Sequence, residues 1–437
     1  MAFSTFGLDP AIQRALRELG FSRPTPIQQE AIPLVAAGRD LVACATTGSG
    51  KTAAFLLPIM QRLLAKPRRT TRTLILTPTR ELAAQIDEHL AALAVHTPLT
   101  GAAVFGGVGM GPQEHAFRAG VDVISATPGR LLDHCRHAYA TLAGVEVLVL
   151  DEADRMLDMG FLPDIRRVLK HLPARRQTLL FSATMPAPIL ALARDIMKAP
   201  ATVNLGRTGT PAAGITQAVY PVRQNRKAAL LAALLRRGEV RDALVFTRTK
   251  HRANRLADFL VRAGLSCARI HGNRSQAQRT AALDGFKAGR VRVLVATDVA
   301  ARGIDVTALG HVVNFDVPNV PDDYIHRVGR TARAEATGDA FTFVAPEEEA
   351  GLRAIERAMG TRLPRVTVPD FDYSDASAEQ LEVPLHERLR AMRSRKAGGR
   401  VSAEPAAGRS TPVAPSGPRL RTTGGRSRAA RFGRRPG

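Results

Sequence analysis

Two short segments of the chain carry residue types suited to gripping a phosphate chain. Ala45-Thr46-Thr47-Gly48-Ser49-Gly50-Lys51-Thr52 follows an apolar run, Leu41–Ala45, and opens a stretch of helical period, Thr52–Leu64. Its glycines let backbone N–H groups close around a phosphate at a helix N-terminus. In such a loop Lys51 reaches the β- and γ-phosphates, and the Thr52 hydroxyl ligates magnesium. The generic pattern begins with Gly, whereas Ala45 stands there in this chain. Further on, Asp151-Glu152-Ala153-Asp154 directly follows the apolar run Val145–Leu150. A carboxylate at the tip of a buried strand is where a nucleotide-binding sheet presents its metal ligand. Asp151 is the candidate for that role, through water, and Glu152 the candidate to orient and deprotonate an attacking water. A lone acidic cluster is more often a solvated turn; paired with the glycine loop 100 residues upstream in the same domain, it points to nucleoside triphosphate hydrolysis.

These residues need a scaffold. Leu41–Ala45, Thr73–Thr77, Ala102–Phe105, Val121–Ser125, Val145–Leu150 and Thr178–Ser182 read as buried parallel strands. Segments of helical period, such as Thr52–Leu64 and Arg80–Ala94, lie between them, so a doubly wound α/β domain is expected. A Gly/Thr/Pro-rich stretch then reads as a linker. Alternation resumes with Ala243–Thr247, Ser266–His271, Val291–Ala296, His311–Phe315 and Asp339–Val344. The expected division is a first domain over 1–205, a linker over 206–214, a second domain over 215–370 and a tail over 371–437. From Arg393 onward Gly, Pro, Ser, Ala and Arg dominate, a composition that builds no core.

Composition narrows the partner. Lys and Arg number 62 against 39 Asp and Glu, a net charge of +23, which favours a polyanion. From Leu385 to Gly437 there are 14 basic residues against Glu387 and Glu404, a net +12, so the body carries the remaining +11. Cys44, Cys135 and Cys267 are far apart, with no CxxC or Cys/His pairing, which argues against a disulfide framework or a zinc site. No apolar run approaches the roughly 18 residues of a membrane span, and no charged leader precedes an apolar core. A cytoplasmic protein is expected, monomeric by default.

With Asp151–Asp154 in this setting, the chain resembles the DEAD-box family of RNA helicases over nearly all of residues 3–345, in the family's motif order. Its start is also similar to the bacterial RhlE-like subgroup. The resemblance implies two tandem RecA-like parallel-sheet domains around a cleft for ATP, magnesium and RNA. Gly20-Phe21-Ser-Arg-Pro-Thr25-Pro-Ile-Gln28 resembles the family's adenine-recognition motif, with Gln28 complementary to adenine's donor–acceptor edge and Phe21 or Phe6 able to pack on the base. Pro78-Thr79-Arg80, Gly106-Gly107 and Thr127-Pro128-Gly129-Arg130 look like its RNA contacts in the first domain. By the same likeness Arg248, Thr249, Gly272, Arg279 and Thr297 face RNA in the second. Gly303, Asp305, Arg330 and Arg333 face ATP, the two arginines as arginine fingers. Ser182 and Thr184, with Asp154, His326 and Arg327, would link hydrolysis to strand separation. Thr46 stands where many members carry Gln, and Ala332 where Gly is commoner.

The implied activity is ATP-driven local unwinding or remodelling of RNA duplexes and RNA–protein complexes. With 5% aromatic residues and no Trp, little base stacking is expected, hence weak sequence preference. The glycine–arginine tail would tether RNA nonspecifically, with an acidic protein surface as its alternative partner. An ATP-dependent RNA clamp or annealing chaperone, and a DNA helicase or translocase, are the competing classes. Ribosome assembly or RNA degradation are possible settings.

Overall fold

The protein is described from a computed structural model, in residues 2–46, 48–65, 69–205, 214–301, 309–331 and 337–374. Seven strands form the first sheet: β1 Leu41–Cys44, β2 Thr73–Leu76, β3 Gly101–Val104, β4 Val123–Ala126, β5 Val147–Leu150, β6 Gln177–Ser182 and β7 Ala201–Asn204. All pairs are parallel, in the order β3-β4-β2-β5-β6-β1-β7. Side chains alternate across a strand, so an all-apolar strand must be covered on both faces. Ala43, Ile75, Val149 and Phe181 therefore enter one core, with helices Pro26–Ala36 and Lys51–Leu64. Val42, Leu74, Leu148, Leu150 and Leu180 enter the other.

A second sheet repeats the plan with β8 Ile215–Pro221, β9 Ala243–Thr247, β10 Cys267–Ile270, β11 Val293–Thr297, β12 His311–Asn314 and β13 Gly338–Val344. Its order is β10-β11-β9-β12-β13-β8, again all parallel. Val245, Val295 and Val313 face one core, and Leu244, Leu294 and Val312 the other. The fold is α/β with two RecA-like lobes, as the sequence implies. Strands β7 and β8 add one member to each expected set. β7 alternates between buried and open positions, and β8 opens on partly exposed Ile215, Thr216 and Gln217, so neither is the unbroken buried apolar run that marks most of the others.

In a parallel α/β sheet the carboxyl ends of the strands build the binding crevice. Here β1 leads into the phosphate loop, β5 into Asp151, and β6, lying between them, ends at Ser182. No helix among the described residues is long and apolar enough to cross a membrane. The linker residues 206–213, most of the tail, and Thr47, Gly303, Asp305 and Arg333 lie outside the described residues.

Candidate ATP and RNA site

The phosphate loop is shaped by glycine. Gly48 and Gly50 have φ of +84° and +91°, and a Cβ on Gly50 would stand 2.5 Å from Gln28 Nε2. The Lys51 side chain is buried and folds back to donate from Nζ to Ala45 O at 2.8 Å. Ser49 Oγ donates to Thr46 O at 2.7 Å. Thr52 follows in the first turn of Lys51–Leu64, half-buried.

Gln28 reaches this loop. Its Oε1 accepts from Thr25 N at 2.9 Å, capping helix Pro26–Ala36, and its Nε2 donates to Gly50 O at 3.1 Å. Each end of the amide is thus already engaged, leaving one N–H and one lone pair for a base. Phe21 is exposed and packs edge-on against Phe3, whose other ring neighbour is Phe6, with centroids 5.9 and 6.1 Å away.

Asp151 is fully buried at the end of β5, and that burial pushes its carboxyl up to about 7, Lys51 opposing the shift. Glu152 adopts the left-handed region, φ 51° and ψ 51°, which a residue with a Cβ rarely does and which clusters at functional sites. Its Oε2 is buried with no hydrogen-bond partner among the described residues. Asp154 closes the turn: its N–H donates to Ser182 Oγ at 3.1 Å, and its Oδ2 accepts from Thr184 N and Oγ1, both at 2.9 Å.

The second lobe meets this turn with helix Pro321–Val328. His326 Nε2 lies 3.9 Å from Asp154 Oδ2. Arg327 is buried: its Nε and Nη2 grip the two oxygens of Asp298 at 2.6 and 2.7 Å, while Nη1 donates to Asn314 Oδ1 and Asp316 O. Arg330 follows, 5% exposed, beside Arg155, Asp298 and Asp323. The lobe that holds the buried Lys51 and the carboxylate turn Asp151–Asp154 therefore meets the arginine-bearing helix of the other lobe at Asp154 and Arg155.

Residues 25–192 match the DEAD/DEAH box helicase family, and residues 226–335 match the helicase conserved C-terminal domain. The chain is similar to the ATP-dependent RNA helicase CshA of Listeria monocytogenes, 43% identical over 87% of this chain and 73% of that one. Its likeness to Bacillus subtilis CshA is 40% over 89% and 78%. The chain belongs to the DEAD-box family of RNA helicases. Among solved structures, the helicase resembles S. cerevisiae Dbp5 bound to RNA and ADP BeF3, with TM-score 0.77 and 31% identity over 84% of this chain and 95% of that one. It also resembles Mss116p bound to ssRNA and AMP-PNP, with TM-score 0.76 and 27% identity over 84% and 79%.

In this helicase the remaining motif residues gather at strand ends. Thr79 Oγ1 accepts from Leu82 N, capping helix Arg80–Leu93, and Thr249 Oγ1 accepts from Arg252 N, capping Lys250–Arg262. Pro78 and Pro128 are buried, whereas Thr127, Gly129 and Arg130 are half-buried. Arg130 Nη2 donates to Val108 O, just past Gly106-Gly107. A Cβ on Gly107 would fall 2.0 Å from Arg80 Nη1, so only glycine lets Arg80 lie over that loop. Gly272 is exposed, and Thr297 ends β11 half-buried. Arg248 is half-exposed and pairs with Glu348 Oε1 at 2.9 Å.

Arg279, expected to face RNA, has a protein partner in this structure. Its buried guanidinium pairs across the lobes with Glu81 Oε2 at 2.9 Å, because Glu81 on Arg80–Leu93 offers a desolvated carboxylate there. Gln276 reinforces this contact with bonds to Glu81 and Arg80. Sequence reading also passed over Lys227, fully buried, whose Nζ donates to Phe315 O, Phe343 O and Glu348 Oε2. Its partners lie 88 to 121 residues away, so no local pattern signals them.

Proposed function

We propose that this helicase couples ATP binding and hydrolysis to local unwinding or remodelling of RNA, through closure of its two lobes. The observation that carries the reading is the opposition of Lys51, Asp151 and Glu152 to the segment bearing His326, Arg327 and Arg330, with Asp154 and His326 3.9 Å apart. Glu152 orients and deprotonates the attacking water. Its buried oxygen, without a hydrogen-bond partner among the described residues, supports that role. Lys51 releases Ala45 O to take the γ-phosphate, and Arg330 stabilises charge on the transferring phosphoryl, with Arg333 as a second finger.

Thr52 and Asp151 would hold magnesium. The site fits: a fully buried carboxyl pushed up to about 7 gains most from a nearby cation. A cation sharing nucleotide phosphates and waters needs only one or two protein oxygens. Magnesium there supplies charge neutralisation on the phosphates.

The RNA surface runs over Thr79, Arg80, Gly107, Thr127, Gly129 and Arg130 and continues to Arg248, Thr249, Gly272 and Thr297. These are backbone-directed groups, which supports weak sequence preference and strong salt dependence. The tail, with Gly398-Gly-Arg400 and Arg431-Phe-Gly-Arg-Arg435, tethers RNA nonspecifically and raises its local concentration. The aromatic N-terminal block supports a place in the RhlE-like subgroup, although the relatives named above are called CshA. Free Cys44, Cys135 and Cys267 fit a reducing cytoplasm.

The decisive test is ATP turnover with single-stranded RNA, with single-stranded DNA and with neither, alongside a short-duplex unwinding assay. RNA-specific stimulation with strand release supports the reading. Tight ATP-dependent RNA binding without turnover would replace it with a clamp.

A further inference from the structure

Arg155, the residue after Asp154, is a buried cation to which the motifs above give no task. It is 4% exposed. Its Nη1 lies 2.6 Å from Asp323 Oδ1 in the second lobe and 3.2 Å from Asp158 Oδ2 in its own helix. Its backbone N–H donates to Asp154 Oδ1 and Glu152 O, so the side chain is rooted in the carboxylate turn itself. Asp323 precedes His326 by three residues and Arg327 by four, a spacing that puts all three on one helical face.

We propose that the Arg155–Asp323 pair is a register lock for the split ATP site. It fixes where the Pro321–Arg330 segment stands against Asp151 and Glu152, and so governs turnover rather than capture of ATP or RNA. The inference rests on the ATPase reading above. A buried charge deprived of its partner is strongly unfavourable. Asp158 is half-exposed, so it offers Arg155 only a solvent-screened carboxylate, whereas Asp323 is four-fifths buried. A slipped or parted pair of lobes would leave Arg155 with Asp158, and one closed register becomes favoured over its neighbours. The alternatives nearby do not provide this. The Asp154–His326 separation of 3.9 Å is too long for a hydrogen bond, and Arg279–Glu81 ties the lobes beside Arg80 instead.

The test is a double-mutant cycle in the full chain: Arg155→Met, Asp323→Asn and both together, with Asp158→Asn as a control. Readouts are RNA-stimulated kcat, KM for ATP and for RNA, and the melting temperature without nucleotide. Each single change is expected to lower kcat about tenfold, and the pair together no further, because neither partner acts without the other. Both KM values and kcat of Asp158→Asn should stay within about twofold of wild type. A multiplicative loss in the double mutant, or a loss in Arg155→Met that Asp158→Asn shares and Asp323→Asn does not, would overturn the lock. So would unchanged kcat in both singles. Normal RNA stimulation of wild type with any of these results overturns the lock alone. A wild type that RNA fails to stimulate overturns the ATPase reading and the lock with it.

Discussion

At the strand ends of the first lobe, Glu152 keeps a buried oxygen without a hydrogen-bond partner among the described residues, holds a left-handed backbone, and sits beside an Asp151 carboxyl pushed up to about 7. At the equivalent ends of the second lobe, Arg327 spends its guanidinium on Asp298, Asn314 and Asp316, and Lys227 spends its ammonium on two carbonyls and Glu348. The two lobes share one strand order apart from the added edge strand β7, and these two clusters use buried charge in opposite ways. Where a group is left short of partners, the fold bears a cost that a ligand can relieve. Where the partners are internal, the charge holds loops in place, and its loss is felt as instability before it is felt as chemistry.

Substitutions can break or sharpen that contrast. The largest effect should come from Glu152→Gln, which keeps size and buried polarity but removes the proposed base. RNA-stimulated kcat should fall roughly 10²- to 10⁴-fold with ATP affinity nearly unchanged, measured by steady-state hydrolysis and nucleotide titration. Arg327→Met should act the other way round. Stripping Asp298 and Asn314 of their shared buried partner should destabilise the second lobe by about 3–5 kcal/mol, visible in denaturant unfolding without any nucleotide. A wild-type melting curve for Arg327→Met would end the claim that this arginine is structural.

Lys227→Met should cost less, about 2 kcal/mol, because Arg248 still faces Glu348 and Arg252 still faces Asp316. Burial lowers the pKa of Lys227, so part of the native charge pairing is already offset by desolvation. The smallest effect concerns Asp87 in helix Arg80–Leu93. Burial first, and Glu88 second, push its carboxyl from 3.8 up to about 6. The folded protein therefore holds a proton that the unfolded chain has lost between those values, and stability falls as pH rises through that window. Asp87→Asn, permanently neutral, should gain about 1 kcal/mol over wild type above pH 6 and lose the advantage near pH 4, after allowance for partial solvent screening. Thermal melts across pH 4–8 would check it, and a gain that grows toward acid would reverse the sign.

Much of the scaffold was legible because parallel strands buried on both faces read as unbroken apolar runs. Ala243–Thr247 is bounded as expected, and Leu41–Ala45 and Val145–Leu150 fall within two residues of β1 and β5. Strands β7 and β8 are harder to read because they are sheet edges, with the polar Thr202 and Asn204 alternating along β7 and Thr216-Gln217 interrupting β8. At the site, local chemistry was readable wherever neighbours in sequence act together, as in Gly50-Lys51-Thr52. Asp154 N–H donates to Ser182 Oγ, and Thr184 Oγ1 donates to Asp154 Oδ2. What could not be read was pairing over long separations. Arg279 has the same charge whether it meets RNA or Glu81, and only the tertiary arrangement decides. Arg155 and Asp323, 168 residues apart, are hidden for the same reason.

The bond from Gln28 to Gly50 O has a consequence for nucleotide choice. One short amide connects the cap of helix Pro26–Ala36 with the peptide just before Lys51, and the absence of a Cβ at Gly50 keeps that connection tight. A base edge that engaged the remaining donor and acceptor of Gln28 would pull on the same peptide that shapes the proposed phosphate cradle. Discrimination between nucleotides is then not confined to how firmly the base is held. A mismatched base would leave the cradle wrongly tensioned, and the nucleotide could stay bound while its γ-phosphate idles.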